Sequence, residues 1–226
     1  MLNYKKTNKS SSKRSAFTLI ELSIVLIIIG LLVAGITGGA SLIKSAELRA
    51  VMAEARDYKV AANAFKTLKD ALPGDYATAT ATATIAGDGD GTIEHVANAA
   101  VNEGQNALGA LYDAELGGHA IGGVAQATPI IALTISTDFP KSAIDTAGWT
   151  FGNRAVAKNV LVLTGTDYSP TNANDVGVDI TDGISGNQYF SIDRKMDDGA
   201  KATGSVRSQA TCLSTDAIGC DATFDL

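Results

Sequence analysis

The chain has 226 residues, 46% of them hydrophobic and 19% charged, which is enough for one domain of moderate size with an appended segment. Its formal net charge is −6. Five basic residues and no acidic residue lie in the first sixteen positions, so residues 17–226 carry −11. Such an acidic body argues against general nucleic-acid binding, which requires a concentrated basic surface. Nucleic acid is therefore not an expected partner.

The N-terminal region divides into a polar part and an apolar part. Residues 1–16 are polar and basic, and residues 17–36 (FTLIELSIVLIIIGLLVAGI) are apolar apart from Thr18, Glu21, Ser23 and two glycines. A helix of twenty such residues is long enough to span a bilayer. By the positive-inside rule, the basic stretch stays in the cytoplasm and the C-terminal body passes outward. A secretory signal peptide would have a shorter apolar core, followed by its cleavage site.

Two residues of this region do not fit a plain membrane anchor. Ala16 is a small residue placed before the apolar run, where cleavage would remove the basic leader and keep the helix. Glu21 puts a carboxylate into the apolar segment, and an acid at the centre of a spanning helix costs about 2.5–3.5 kcal/mol. One interpretation is that the α-amino group of Phe17, released by cleavage, neutralises Glu21 of a neighbouring subunit or of the same chain. The alternative is that Glu21, near the helix start, reaches the membrane interface.

Residues 15–22 (SAFTLIEL) resemble the cleavage and methylation motif of type IV prepilins and type II secretion pseudopilins. The resemblance implies that a prepilin peptidase cuts between Ala16 and Phe17 and methylates the new amino terminus. It also implies that Glu21 guides docking into a growing helical filament of identical subunits on an inner-membrane assembly platform. The residue before the cut is usually glycine in this family, and Ala16 is small enough to replace it.

Beyond the apolar run, the hydrophobic pattern continues with helical spacing. Apolar residues recur every three or four positions, at Leu48, Met52, Ala55, Tyr58, Ala62, Phe65, Leu68 and Leu72. This spacing predicts one helix from Phe17 to about Ala71, ended by Pro73 and Gly74. Four glycines, Gly30, Gly35, Gly38 and Gly39, fall within it. Close packing of helices explains them slightly better than a weak segment that stretches outside the bilayer.

The remaining sequence predicts a globular head. Residues 77–84 (ATATATAT) lack apolar periodicity and predict an exposed loop, and residues 103–116 permit a short helix. Segments 130–136, 159–164 and 176–181 predict strands of an antiparallel sheet, whereas residues 189–196 fit a strand or a helix. The expected fold is α+β, a long N-terminal helix packed against an antiparallel sheet as in pilins. The expected organisation is a leader at 1–16, a transmembrane and filament-core helix at 17–44, an amphipathic helix at 45–72 and the head at 73–226.

Cys212 and Cys220 are the two cysteines of the chain. Their spacing is not that of a metal-binding CxxC pair, and an exported body would lie in an oxidising compartment. A disulfide is the favoured interpretation, and closing so short a loop is worth about 2–3 kcal/mol. The alternative is two unrelated buried thiols.

Asp88, Asp90 and Glu94 are candidate calcium ligands because they place carboxylates on a glycine-rich turn. The pattern is half of an EF-hand loop: its first and twelfth positions fall on Ala86 and Ala97. A solvated acidic turn is the alternative, and no cofactor is required. A second acidic group, Asp193, Asp197 and Asp198, fits helix capping or turn formation better than metal binding.

No pattern in the sequence predicts an enzyme. The two histidines, His95 and His119, lie in no motif, and no nucleophile–base arrangement is recognisable from spacing. The predicted function is a structural subunit of an extracellular type IV pilus-like filament, anchored in the inner membrane as a precursor. The alternatives are a type II secretion pseudopilin of the periplasm and a minor tip pilin with an adhesive or binding role.

Overall fold

The structure is a computed structural model that describes residues 17–78, 86–93, 103–118, 135, 139–154, 158–165, 183–208, 212 and 218–226. The chain divides into two compact units at the boundary between Lys44 and Ser45. The part before this boundary is the N-terminal unit and the part after it is the C-terminal unit.

The described residues form three helices and six strands. In chain order these are α1 (Leu19–Lys69), α2 (Glu103–Asp113), β1 (Gly148–Arg154), β2 (Lys158–Thr164), β3 (Ile184–Ser185), α3 (Gly186–Met196), β4 (Val206–Arg207), β5 (Ile218–Cys220) and β6 (Ala222–Asp225). The α+β fold with a long N-terminal helix, predicted from the sequence, is confirmed.

Helix α1 is two residues shorter at each end than the periodicity predicts. At its C-terminus, Asp70 donates its N–H to the carbonyl of Lys66 and then takes a left-handed backbone conformation with φ of 55°. This left-handed conformation, which a non-glycine residue seldom adopts, interrupts the right-handed helix. Helix α1 therefore ends before Pro73 is reached. Residues 19–44 of α1 belong to the N-terminal unit and the rest to the C-terminal unit.

A four-stranded antiparallel sheet with the order β1-β2-β6-β4 forms the centre of the C-terminal unit. Strand β2 lies inside the sheet, and its Val160, Leu161, Val162 and Leu163 are completely buried. A run of apolar residues without alternation is typical of a strand covered on both faces. Strands β3 and β5 form a separate two-stranded sheet.

The C-terminal part of α1 packs against the first strand of the larger sheet. The ring of Tyr58 contacts Trp149 and Phe151 of β1, with centroids 5.8 and 6.3 Å apart. Phe65 of α1 is fully buried, and its ring meets Tyr76 edge-on at 6.0 Å. Packing of the helix against an antiparallel sheet, as the sequence predicts, is therefore confirmed.

Two predicted segments of the head are resolved clearly. Residues 159–164 form a strand, as expected, and α2 occupies most of the helix predicted at 103–116. The ambiguous residues 189–196 are helical, as part of α3. A capping box decides this, because Ser185 accepts the N–H of Gln188 while the Gln188 side chain accepts the N–H of Ser185.

The other predicted segments lie largely outside the described residues. Of the strand predicted at 130–136, the structure describes Ile135 alone, which forms an isolated bridge with Phe139. Residues 176–181 and most of the predicted loop at 77–84 also lie outside.

The structure pairs Cys212 with Cys220 in a disulfide whose second half-cystine ends β5.

Candidate functional site

The start of α1 brings two of the predicted site residues together with a third that the sequence interpretation overlooked. Thr18 precedes the helix, and its side-chain hydroxyl accepts the N–H of Glu21 at 3.3 Å. The Glu21 carboxylate accepts the N–H and the hydroxyl of Thr18, both at 2.8 Å. This reciprocal arrangement is a capping box, which satisfies backbone donors that have no partner within the helix. The spacing Thr-x-x-Glu was visible in the sequence.

Phe17 is 80% exposed and directly precedes the capping threonine. Ala16, the residue on the other side of the predicted cleavage site, lies outside the described residues. Cleavage between them would place a new amino group one residue from Thr18, whose N–H already contacts the Glu21 carboxylate. The capped helix end thus holds the acid close to the position that the new amino terminus would occupy.

The N-terminal unit exposes an apolar helix surface. An 18-residue window of α1 has a mean hydropathy of 2.8, and none of its residues is buried within the chain. By length and composition, α1 is able to cross a membrane. A Cβ atom added to Gly30, Gly35, Gly38 or Gly39 would meet no heavy atom within 4 Å. No contact among the described residues therefore requires these glycines.

The C-terminal unit contains a second candidate site, formed by three acidic residues. Carboxylate oxygens of Asp75, Asp88 and Asp90 lie within 4.8 Å of one another. The predicted ligands Asp88 and Asp90 thus lie together, whereas Glu94 lies outside the described residues. Asp75 is an addition that the local spacing did not suggest. The sequence feature that could have indicated Asp75 is the Leu-Pro-Gly-Asp segment after the long helix. Asp75 ends this segment, thirteen residues before Asp88.

Two glycines allow the chain to bring these carboxylates together. Gly74 has φ of 92°, and a Cβ there would lie 2.1 Å from the carbonyl oxygen of Glu103. A Cβ on Gly87 would lie 2.4 Å from the carbonyl carbon of Asp75. Only glycine fits such close approaches of backbone to backbone. The N–H of Gly87 then donates to the carbonyl of Tyr76 at 3.0 Å, which fixes the two segments side by side.

Hydrogen bonds hold the acidic loop in one shape. Gly91 donates its N–H to Asp75 Oδ2 at 3.0 Å, and Asp90 donates its N–H to Asp88 Oδ1 at 3.0 Å. The Asp88 N–H donates in turn to Glu103 Oε1 of α2 at 3.0 Å. On the other side, Asn159 of β2 donates to the Gly91 carbonyl at 2.9 Å and accepts the Ile93 N–H at 2.8 Å. The loop is therefore attached to α2 and to the sheet.

The three carboxylates have different electrostatic environments. Asp75 is only 2% exposed, and within the described part of the chain its Oδ1 atom has no hydrogen-bond partner. Burial raises the pKa of Asp75 above its ordinary value, and the neighbouring charges of Asp90 and Asp88 raise it further, against the lowering effect of the Gly91 and Gly89 N–H groups. Hydrogen bonds from Thr92 lower the pKa of the exposed Asp90. Asp75 is therefore a buried acid, and its charged form has no basic side chain among the causes that shift its pKa in the described residues.

The second acidic group forms a turn after α3. Its carboxylate oxygens also lie within 4.8 Å of one another, but Asp197 Oδ2 accepts the N–H groups of Ser205 and Val206. Asp198 accepts the Ala200 N–H at 2.8 Å and the Thr203 hydroxyl at 2.6 Å. These bonds correspond to the turn-forming role that the sequence favours. His95 and His119 lie outside the described residues.

Comparison with known proteins gives one match. Residues 11–37 match the family described as the prokaryotic N-terminal methylation motif, the signal of type IV pilins and pseudopilins. No curated protein and no solved structure matches the chain. The match covers the residues around the predicted cleavage site and the whole apolar run, and it supports a pilin-like or pseudopilin-like protein.

Proposed function

We propose that this chain, which carries the methylation signal of type IV pilins and pseudopilins, is a structural subunit of an extracellular type IV pilus-like filament. The observation that carries the proposal is the start of α1, where the matched motif, the exposed Phe17 and the capped Glu21 coincide. The motif implies a structural subunit processed by a prepilin peptidase, and the exposed apolar helix fits a membrane-anchored precursor.

The Glu21 carboxylate connects processing to assembly in this proposal. Before assembly, hydrogen bonds from Thr18 compensate part of the cost of placing the acid at the membrane. After cleavage, the amino group of Phe17 provides a positive charge for Glu21 of a neighbouring subunit or of the same chain. An ion pair in a low-dielectric filament core is strong enough to select the docked register, because an unpaired charge there is costly.

The apolar surface supplies the remaining contacts of the proposed filament. Residues 19–44 present large side chains without cover from the described chain, and copies of the same helix would bury them. Gly30, Gly35, Gly38 and Gly39 would then let helices approach closely. A type II secretion pseudopilin is the second candidate, because the matched signal is common to both classes. A minor tip pilin would use the same helix in few copies.

The mature N-terminus tests the processing step. Filaments sheared from the cell surface are to be analysed by mass spectrometry of the N-terminal peptide. The expected result is a chain that begins at methylated Phe17, present in many copies along each filament. A chain that retains residues 1–16 would contradict processing. A processed chain found only in a periplasmic secretion complex would instead support the pseudopilin.

Three substitutions separate the charge of Glu21 from its capping role. Glu21→Gln retains the side-chain oxygen that caps Thr18 but removes the charge, whereas Glu21→Ala removes both. Thr18→Ala is the matched control, because it weakens the cap and keeps the charge. All three precursors are expected to insert in the membrane and to be cleaved. We expect filament yield to fall at least tenfold for Glu21→Gln and Glu21→Ala and to stay near normal for Thr18→Ala. Normal assembly of Glu21→Gln would reject the ion pair.

A further inference from the structure

We propose that Asp75, Asp88 and Asp90 form a binding site for a calcium ion in the C-terminal unit. This inference does not depend on the proposed filament, because all three residues lie beyond Ser45 and the test measures the folding of that unit. The expected ion is hard and prefers oxygen ligands, which carboxylates and backbone carbonyls supply.

Asp75 is the observation that distinguishes this cluster from an ordinary acidic turn. Exposed acidic side chains can lie close together at little cost in free energy, because water screens their charges. Asp75 is instead 2% exposed, and its buried Oδ1 has no hydrogen-bond partner among the residues that the structure describes, although a carboxylate oxygen of this residue lies within 4.8 Å of the other two acids. A buried charge normally has an opposite charge or a metal beside it. A cation among the three carboxylates would provide that missing charge.

The loop is shaped before any ion arrives. Asp88 and Asp90 each use Oδ1 to accept an N–H two residues further along, from Asp90 and Thr92 respectively. Asp75 uses Oδ2 to accept the Gly91 N–H. The bonds formed among the described residues therefore engage one oxygen of each acid, and the second oxygens are the expected ligands. Preorganisation of this kind reduces the ordering cost of binding.

Calcium fits this arrangement better than magnesium. The three acids come from two chain segments and supply fewer oxygens than the six to eight that calcium takes, so water and backbone carbonyls would complete the shell. Magnesium demands nearly ideal octahedral geometry and dehydrates reluctantly, so it seldom occupies a site built mainly from protein oxygens. The group around Asp193 also contains a buried acid, but both carboxylate oxygens of Asp198 already accept hydrogen bonds, from the Ala200 N–H and the Thr203 hydroxyl, so this group is the weaker candidate.

The position of the site suggests what the ion would do. The acidic loop is bonded to Glu103 of α2 and to Asn159 of β2, and Asp75 follows the end of α1. A bound ion would therefore hold together three parts of the C-terminal unit. In a calcium-containing extracellular medium the unit would be more stable than in a calcium-poor compartment.

The test is thermal unfolding of the full chain in detergent micelles, with and without calcium, at constant ionic strength. Trp149 is the single tryptophan and is buried, so its fluorescence reports unfolding of the C-terminal unit. At a calcium concentration ten times the dissociation constant, we expect the melting temperature to rise by about 3–5 °C above its value in chelator. Magnesium is expected to give less than half of this shift.

Substitutions assign the shift to the cluster. Asp75→Asn is expected to abolish the calcium shift and to melt at or above the wild-type temperature in chelator, since it removes an uncompensated buried charge. Asp88→Asn and Asp90→Asn change exposed side chains and keep the proposal testable if Asp75→Asn does not fold. Asp145→Asn is the matched control, because Asp145 is an exposed acid paired with Lys141, and it is expected to retain the full shift.

Three results would overturn the proposal. One is an unchanged melting temperature of the wild type at calcium concentrations up to about 10 mM, above the range of extracellular calcium modules. Another is a full calcium shift in the Asp88→Asn, Asp90→Asn double variant, which would place the ion elsewhere. A magnesium shift as large as the calcium shift would reject the assignment to calcium.

Discussion

Asp193 is a buried acid whose environment favours its neutral form. The residue lies on α3, is completely buried, and its Oδ1 atom accepts no hydrogen bond from the residues covered by the structure. Its Oδ2 atom accepts a long bond of 3.5 Å from the Tyr189 hydroxyl. Burial raises the pKa of Asp193, and the charges of Asp198 and Asp197 raise it further, against a hydrogen bond from the Gly199 N–H.

This raised pKa determines the sign of a pH effect. An aspartate in an unfolded chain titrates near 3.9, so between that value and the raised value the folded chain binds the proton that the unfolded chain has lost. The contribution of Asp193 to stability is therefore present below the unfolded pKa. It is lost as the pH rises through the folded pKa.

Asp193→Asn is expected to stabilise the C-terminal unit at pH 7 and to have little effect near pH 3.5. The amide is neutral at both pH values, and its NH₂ group would lie where Asp197 and Asp198 offer acceptors. Thermal unfolding in chelator, followed by Trp149 fluorescence, measures the effect, with an expected gain of a few degrees at pH 7. Asp145→Asn serves as the control, with a small change at both pH values. A variant that melts below the wild type at pH 7 would contradict the argument.

At the scale of elements, Glu54 of α1 adds hydrogen bonds to the aromatic contacts that join the helix to the sheet. Glu54 accepts the indole N–H of Trp149 at 2.8 Å and the Ala143 N–H at 3.3 Å, both through Oε2. The ring of Trp149 in β1 also contacts the rings of Tyr58 and Phe224. Burial, with a smaller effect of the Glu54 charge, raises the pKa of Tyr58 to about 12.

Glu54→Ala is expected to lower the free energy of unfolding by about 1–3 kcal/mol, because it leaves the buried indole N–H without an acceptor. Glu54→Gln keeps an oxygen at this place and is expected to retain most of the stability. Chemical unfolding of the full chain in micelles provides the measurement. Asp57→Ala, an exposed acid three residues further along α1, is the control, and an equal loss for Asp57→Ala and Glu54→Ala would remove the specific role of this bond.

The elements also show which features sequence patterns predict. Helix α1 was predictable because its period continues over many turns, and β2 because four adjacent aliphatic residues need cover on both faces. Strand β1 (GWTFGNR) was missed because Gly148 and Gly152 lower the strand propensity that Trp149 and Phe151 provide. Strands β3 and β4 have two residues each, too few for any periodicity.

The two candidate sites also differ in how far the sequence predicts them. Phe17 and Glu21 belong to a motif of neighbouring residues, so its resemblance to the prepilin motif was sufficient to select them as candidates. Asp75 joins Asp88 and Asp90 through the close approach of two segments at Gly74 and Gly87. Such a contact depends on tertiary structure, so local spacing could not predict Asp75, while the predicted ligand Glu94 lies outside the described residues.

At the scale of the whole molecule, charge is distributed unevenly about the apolar run. The first sixteen residues contain five basic side chains and no acidic one, while the net charge of the rest is strongly negative. Lys44 and Arg49 are the basic residues that follow the run most closely. Because the side with more lysine and arginine near the membrane stays in the cytoplasm, the leader is expected to determine an N-in, C-out orientation of the precursor.

Neutralising the leader tests this orientation. The variant has Gln in place of all five basic residues of the leader, Lys5, Lys6, Lys9, Lys13 and Arg14. The basic residues nearest the membrane are then Lys44 and Arg49, on the opposite side. The positive-inside rule therefore favours a reversed orientation of this variant. Alkaline phosphatase fused after Leu226 reports the location of the C-terminus, since it requires disulfides that form outside the cytoplasm. We expect high activity for the wild-type fusion and a loss of at least fivefold for the neutral leader at equal expression.

A leader in which the four lysines become arginine provides the control for that experiment. It changes four of the same five positions and keeps every charge, so its reporter activity is expected to equal that of the wild type. Unchanged activity of the neutral leader would show that the apolar helix or the folded C-terminal unit, and not the basic charge, orients the precursor. A loss of activity in the arginine leader would point to recognition of the lysine side chains themselves, because charge is equal in the two chains.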